Sequence, residues 1–225
     1  MRVLRAERGI NMGKYAGVIF DLDGVICFTD KYHYAAWKTV ADKIGVEFNE
    51  TINNRLRGVS RMDSLEIILE RYDGSLSVEE KEALATEKNE IYRKLLENMT
   101  PADLSPEVKE TMDALRAAGM KLAIGSSSRN TKTILGRLGL SDYFDAISDG
   151  TNITRSKPDP QVFLMAADFL HMAPESCLVV EDAEAGIAAA CAGGFDSAAL
   201  GEAAQCGRAT YAMKTFADLR AICGA

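Results

Sequence analysis

Two carboxylates, Asp21 and Asp23, stand two positions apart and are followed at once by Gly24. In an extended chain, residues i and i+2 project to the same side, so both acids can face one small space. Like charges that close resist joint ionisation, and a bound cation or a shared proton resolves the conflict. Gly24 allows a sharp backbone turn where a side chain would hinder it. The plainer alternative is a strand end whose solvated aspartates cap the next turn, and Asp-x-Asp-Gly alone does not exclude it. Three further sets bear on the choice: Ser126-Ser127-Ser128-Arg129-Asn130, Ser156-Lys157-Pro158 and Glu181-Asp182. Hard oxygen ligands in a chain with only two histidines suit Mg²⁺ better than zinc, with Asp21, Glu181 and Asp182 as candidate ligands. Phosphoryl transfer needs mainly alignment and neutralisation of the equatorial oxygens, which Ser126, the serine-loop N–H groups and Lys157 can supply. A carboxylate can attack phosphorus to form an aspartyl phosphate, and Asp21, at the strand tip, suits that part. Asp23, further along the turn, is the candidate to protonate the departing oxygen and deprotonate the incoming nucleophile.

These groups reach one place only if strands deliver them. Gly17 to Phe20 reads as a strand. From Thr29 the period becomes helical, with Tyr34, Trp37, Val40, Ala41 and Ile44 on one face and Gly45 as the stop. A short helix is expected between Asn49 and Leu56, then a loop from Arg57 to Arg61, then a helix through Ser64, Leu65, Ile68 and Leu69. Ser77-Val78-Glu79-Glu80 fits a capping box that starts a long helix reaching about Asn98. Residues 29–99 therefore read as all-helical. Beyond Pro101 strand and helix alternate. Ser105-Pro106 provides a cap and first-turn proline for a helix ending at Gly119. Strands are expected at Lys121 to Gly125, Ala146 to Ser148, Ser176 to Val180 and Ser197 to Leu200. Helices are expected at Asn130 to Leu138, after Asp159-Pro160, at Ala185 to Ala192 and at Phe216 to Ile222. This order predicts an α/β fold, a doubly wound parallel sheet with an all-helical insert after the first strand. Ligands of such sheets bind beyond the carboxyl ends of the strands, where all the chemical groups above fall.

Composition narrows the partners. A net charge of −7 over 225 residues argues against a nucleic-acid or anionic-membrane surface. No apolar run approaches a membrane span. Five cysteines with no Cys-x-x-Cys pair suggest neither a disulfide framework nor a zinc site, and fit a reducing cytoplasm. The domain reading is an extension at 1–14, expected to be disordered, a core of 15–28 and 100–225, and a helical cap of 29–99. Met12-Gly13-Lys14 looks like a natural start, with the preceding residues as a leader lacking the features of a secretory signal. Nothing in the sequence demands more than a monomer.

Asp21-Leu22-Asp23-Gly24-Val25, the Ser126 loop, Ser156-Lys157-Pro158 and Glu181-Asp182 resemble the four ordered motifs of the haloacid dehalogenase superfamily, phosphotransferase branch. The insert, through residues 32–38, 56–65 and 87–89, looks like the cap of one family within it, the β-phosphoglucomutases. The resemblance runs on through 101–103, 143–146 and 181–187 and covers roughly Tyr15 to Leu200. It implies a mutase cycling phosphate through aspartate, converting β-glucose 1-phosphate to glucose 6-phosphate, with β-glucose 1,6-bisphosphate as the priming intermediate and Mg²⁺ as cofactor. On that likeness Asp21 is the nucleophile and Asp23 the acid/base. Asp21, Glu181, Asp182 and the Asp23 backbone carbonyl surround the metal, and Ser126 and Lys157 contact the transferring group. Arg61, with Ser128, Arg129 and Asn130, holds the phosphate at the other end of the sugar. Thr29, His33, Trp37, Leu56, Gly58, Val59, Ser60, Ser64 and Lys88 match cap and hinge positions near the bisphosphate. A mutase must hold its bisphosphate in both orientations, and the planar fork of Arg61 suits the second phosphate. Two departures stand out: Arg129 where a lysine is usual, and Ser127 where a small apolar residue is usual.

Plainer readings stand beside these. His33 can be a packing residue, although the matched stretch favours a role between the cap and Asp23. Trp37 and Leu56 can be cap core, and Lys88 can belong to a solvated helix face. Arg61 can be a surface arginine, and Lys157 a turn residue. His171 reads as surface and the cysteines as packing. The rivals to a mutase are a sugar-phosphate phosphatase of the same superfamily and a catalytically idle sugar-phosphate binder.

Overall fold

Alternation along β1 (Gly17–Phe20) sends Val18 and Phe20 to one face of a sheet and Ile19 to the other. Both faces are covered, so the strand reads as a continuous apolar run rather than an alternating one. The structure, a computed structural model, describes residues 13–225 except Gly58. After β1 come four helices: α1 (Asp30–Lys43), α2 (Glu50–Asn54), α3 (Arg61–Leu69) and α4 (Val78–Leu96). Then follow α5 (Pro106–Ala117), β2 (Lys121–Gly125), α6 (Thr131–Arg137), β3 (Ala146–Ser148), α7 (Gln161–Phe169), β4 (Cys177–Glu181), α8 (Glu184–Ala192), β5 (Asp196–Ala199), β6 (Tyr211–Ala212) and α9 (Asp218–Cys223).

The sheet runs β3-β2-β1-β4-β5-β6, and every pairing is parallel. Val18, Phe20, Leu122, Ile124, Leu178 and Val180 pack with residues of α5, α6 and α9 on one side. Ile19, Ala123, Cys177 and Val179 pack with α7 and α8 on the other. Each such side chain contributes about 1.5–3 kcal/mol when fully buried. The order reverses at β1, which places a ligand crevice at its carboxyl end. Phe20 is level with Ile124 on one neighbour and Val180 on the other, so Asp21 emerges between the next residues, Gly125 and Glu181.

The insert carries its own apolar cluster, including Trp37, Val40, Phe48, Ile52, Leu65, Ile68 and Leu84. Ser77 opens α4 with the expected capping box, accepting from Glu80 N at 3.2 Å while its own N–H donates to Glu80 Oε2 at 2.7 Å. Several boundaries differ from the sequence reading. Arg61 is the first residue of α3 rather than part of a loop, because Ser60 caps the helix by accepting from Asp63 N. Ser105 precedes the first-turn proline as expected, but its hydroxyl makes no capping hydrogen bond. Glu181 ends β4, so only Asp182 leaves the strand. The edge strand β6 was not foreseen; it holds two residues and pairs with Ala198 and Ala199. Of the expected 1–14 extension, residues 1–12 lie outside the described residues, and Lys14 pairs with Asp196.

Candidate active site

Three acids converge at the tips of β1 and β4: Asp21, Glu181 and Asp182 each offer an oxygen within 4.8 Å of the others. Among the described residues one cation pairs with two of them. Lys157, buried in the connection after β3, donates to Asp21 Oδ1 at 2.5 Å and to Glu181 Oε1 at 2.7 Å. The other Glu181 oxygen accepts from the backbone N–H groups of Asp182 (2.6 Å) and Ala183 (2.9 Å). Two glycines make the cluster possible. A Cβ on Gly24, whose φ is 87°, would lie 2.0 Å from Asp182 Oδ2, and one on Gly186 would lie 1.8 Å from Glu181 Oε1. Burial pushes Asp21 up to about 7; the Glu181 charge adds to this and Lys157 opposes it. Burial, with Glu181 and Asp21 nearby, lifts Asp182 to about 8. For Lys157 burial acts downward, but Asp21 and Glu181 outweigh it and hold the ammonium above its ordinary range. Three carboxylates against one lysine leave an excess of negative charge on oxygen donors, and a hard divalent cation relieves that. The donor set fits Mg²⁺.

Asp23 sits on the next turn. It accepts from the Thr29 hydroxyl, which in turn accepts from Tyr92 O–H at 3.0 Å. Burial raises the Asp23 carboxyl, against the opposing pull of the Thr29 bond and of Lys88. Such a group suits holding and releasing a proton.

A cavity of about 840 Å³ lies between these strand tips and the helical insert. Asp21, Asp23, Ser126, Ser127, Ser128, Arg129, Asn130, Lys157, Glu181 and Asp182 line it from the core. His33, Trp37, Leu56, Val59, Ser60, Arg61, Ser64 and Lys88 line it from the insert. Thr29 does not line it and acts through Asp23; Gly58 lies outside the described residues. Trp37 and Leu56 belong at once to the insert's apolar cluster and to the cavity wall. Lys88 overturns the solvated-face alternative: it is 3% exposed, 2.8 Å from His33 Nδ1, and 5.0 and 4.6 Å from the ring centroids of Trp37 and Tyr92. Burial, reinforced by Arg61, depresses Lys88 to about 7. Burial and the Lys88 charge hold His33 well below the usual imidazole range. Among the described hydrogen bonds His33 meets Lys88, and the side chain that meets Asp23 is Thr29.

Arg61 and Arg129 also line the cavity, one from the insert and one from the core. Burial and the Arg129 charge lower the Arg61 pKa. The serine loop is braced internally: Ser126 Oγ accepts from Ser128 N and Ser128 Oγ from Asn130 N, each at 3.2 Å. Ser127, the polar departure, keeps a buried hydroxyl with no partner among the described residues.

The profile of the haloacid dehalogenase-like hydrolase family matches residues 15–194. The chain belongs to this family. It is 40% identical over 208 residues to a β-phosphoglucomutase of Bacillus subtilis (strain 168), covering 90% of each chain. It is also 35% identical over 185 residues to a fructose-1-phosphate phosphatase of Escherichia coli (strain K12), covering 82% of this chain and 95% of that one. Among solved structures, a β-phosphoglucomutase from Clostridium difficile superposes with a TM-score of 0.86 at 37% identity, covering 91% of this chain and 93% of that one. The α/β sheet with its helical insert is thus the haloacid dehalogenase-like fold, and the chain is an enzyme of that family. Its phosphomutase members are Mg²⁺-dependent, in keeping with the acidic cluster here. No helix among the described residues is long and apolar enough to cross a membrane.

Groups at the site to which the sequence reading gave no role include Arg57, Tyr92, Asn89 and Phe28. Arg57 lines the cavity and lowers Asp182, opposing the effect of burial. Tyr92 stacks on His33 with ring centroids 4.1 Å apart. Its signal was present, since Tyr92 lies one helical turn beyond Lys88 on the same face. Asn89 lines the cavity beside Lys88, and Phe28 stands 70% exposed at its wall; Asn89 lay within the cap motif at 87–89 without a role of its own, and Phe28 carried no motif.

Proposed function

We propose that this enzyme is a Mg²⁺-dependent phosphohexomutase interconverting β-glucose 1-phosphate and glucose 6-phosphate through an aspartyl phosphate and β-glucose 1,6-bisphosphate. The observation that carries the reading is one cavity lined by two unlike sets of groups: a carboxylate–lysine cluster at the strand tips, and two arginines, one from the insert and one from the core. A phosphatase of small substrates needs only the first. Asp21 attacks phosphorus, forming a carboxylate–phosphorus bond as the bond to the sugar oxygen breaks. Asp23 gives that oxygen its proton, then takes one from the hydroxyl that attacks in the return step. Lys157 and Ser126 neutralise and orient the phosphoryl oxygens. Asp21, Glu181, Asp182 and the Asp23 carbonyl would hold Mg²⁺, which would supply charge neutralisation on the transferring group. Arg61, Arg129, Ser128 and Asn130 hold the second phosphate while Trp37, His33, Leu56, Val59, Ser60, Ser64 and Lys88 surround the sugar. Residues 29–99 act as a cap on a core of 15–28 and 100–225, and closure keeps water from the aspartyl phosphate. The enzyme works as a cytoplasmic monomer.

The likeness to a fructose-1-phosphate phosphatase favours one rival, hydrolysis of a sugar phosphate. Supplying β-glucose 1-phosphate, Mg²⁺ and a trace of the bisphosphate, and following glucose 6-phosphate and free phosphate together, separates the two. The mutase yields glucose 6-phosphate in large excess over phosphate. Phosphate without glucose 6-phosphate would establish the phosphatase, and silence in both an idle binder.

A further inference from the structure

Two consecutive residues of α4 line the cavity and take different partners. Lys88 turns to His33 and the surroundings of Asp23, whereas Asn89 turns to the serine loop, where its Oδ1 accepts from Asn130 Nδ2 at 2.9 Å. Neighbouring helix positions lie about 100° apart, which is the spread this division requires. The Asn89–Asn130 bond joins the helical insert directly to the core. Among the described side-chain hydrogen bonds, the other one that does so is the Thr29–Asp23 contact at the start of the insert.

We propose that Asn89 is a positioning residue for the distal anion site: it fixes the Asn130 carboxamide and so couples the seating of α4 to anion capture. Asn130 is the N-cap residue of α6, yet its side chain makes no capping bond, so the helix itself does not orient the amide. Asn89 does. By taking one Asn130 N–H it sets which edge of each amide faces the cavity. The second Asn130 N–H is left without a protein partner among the described residues. That free donor stands in a wall that also holds Arg61 and Arg129, whose mutual repulsion an anion relieves.

The inference rests on the reading of this wall as the second phosphate site. The test compares wild type, Asn89→Ala, Asn130→Ala and the double variant, each with β-glucose 1-phosphate and with acetyl phosphate, a donor that has no second anionic end. Asn89→Ala should raise KM for the hexose phosphate by about five- to tenfold, the worth of one hydrogen bond to an anion site. The acetyl phosphate rate and the melting temperature should stay within about twofold and a degree or two. In the Asn130→Ala background, Asn89→Ala should add nothing further. Additive losses, an equal loss with acetyl phosphate, or an unchanged KM would overturn the positioning role. The wild-type products judge the mutase reading separately: if wild type only releases phosphate, that reading fails while the KM ratios still decide the role of Asn89.

Discussion

Lys157 and Lys88 are equally buried, each 3% exposed, and their surroundings drive them to opposite states. Lys157, in the core, meets two carboxylates and keeps its charge. Lys88, in the insert, meets an imidazole, two aromatic faces and the field of Arg61, and burial brings it down to about 7. The core end is thus an excess of negative charge with one fixed counter-ion, suited to a metal and a nucleophile. The insert presents Lys88 and Arg61 to the cavity with no carboxylate paired to either among the described residues, an arrangement suited to receiving an anion. Burial acts downward on both; only Lys157 meets carboxylates that outweigh it.

The sharpest break in this comparison comes at the core. Asp21→Asn keeps shape but removes the nucleophile, so turnover of β-glucose 1-phosphate should fall by about three orders of magnitude or more. A rate near wild type would remove Asp21 from the chemistry. Lys157→Met strips the cluster of its only described salt-bridge partner, leaving Asp21 and Glu181 buried and unpaired. Breaking a buried pair in this way costs about 3–5 kcal/mol, readable as a lowered denaturation midpoint without Mg²⁺. Because the cation then carries all the compensation, Mg²⁺ should raise the melting temperature of the variant more than that of wild type. Equal increments would mean that the metal and Lys157 do not share the same carboxylates.

The same contrast marks how far the sequence could be read. The core was legible because each group at its chemical end follows an apolar strand, and parallel topology brings strand ends together: Asp21, Ser126 and Asp182 needed no side-chain detail. The capping box at Ser77 was legible for a similarly local reason, two reciprocal bonds three residues apart. Glu181 was misplaced by one residue, because a charged side chain inside a strand is tolerated only where Lys157 and two N–H groups meet it, and those lie far off in sequence. The insert was harder. A lysine in a charge-rich helix gives no sign of burial until Trp37 and Tyr92 are seen to flank it. Asn89, with one partner 41 residues away, leaves no periodic trace at all. The strand β6, two residues long, is shorter than any alternation can reveal.

The smallest effect tests the other half of the comparison. The folded-state pKa of Lys88 is depressed from 10.5 to about 7, so between those values the unfolded chain binds more protons at this site than the folded one. Stability from this group therefore rises with pH across that window, and is least below about 7, where the folded protein must keep a buried ammonium. Lys88→Met removes the titration. Its stability relative to wild type should be greatest near pH 7 and shrink toward pH 10, by no more than about 1.4 kcal/mol per pH unit. Loss of the His33 bond and the aromatic contacts lowers the whole curve by about 1–2 kcal/mol without changing its slope. Chemical denaturation at a series of pH values reads that slope directly. A difference independent of pH would mean that Lys88 keeps an ordinary pKa and that the insert, like the core, supplies an anion to its buried lysine.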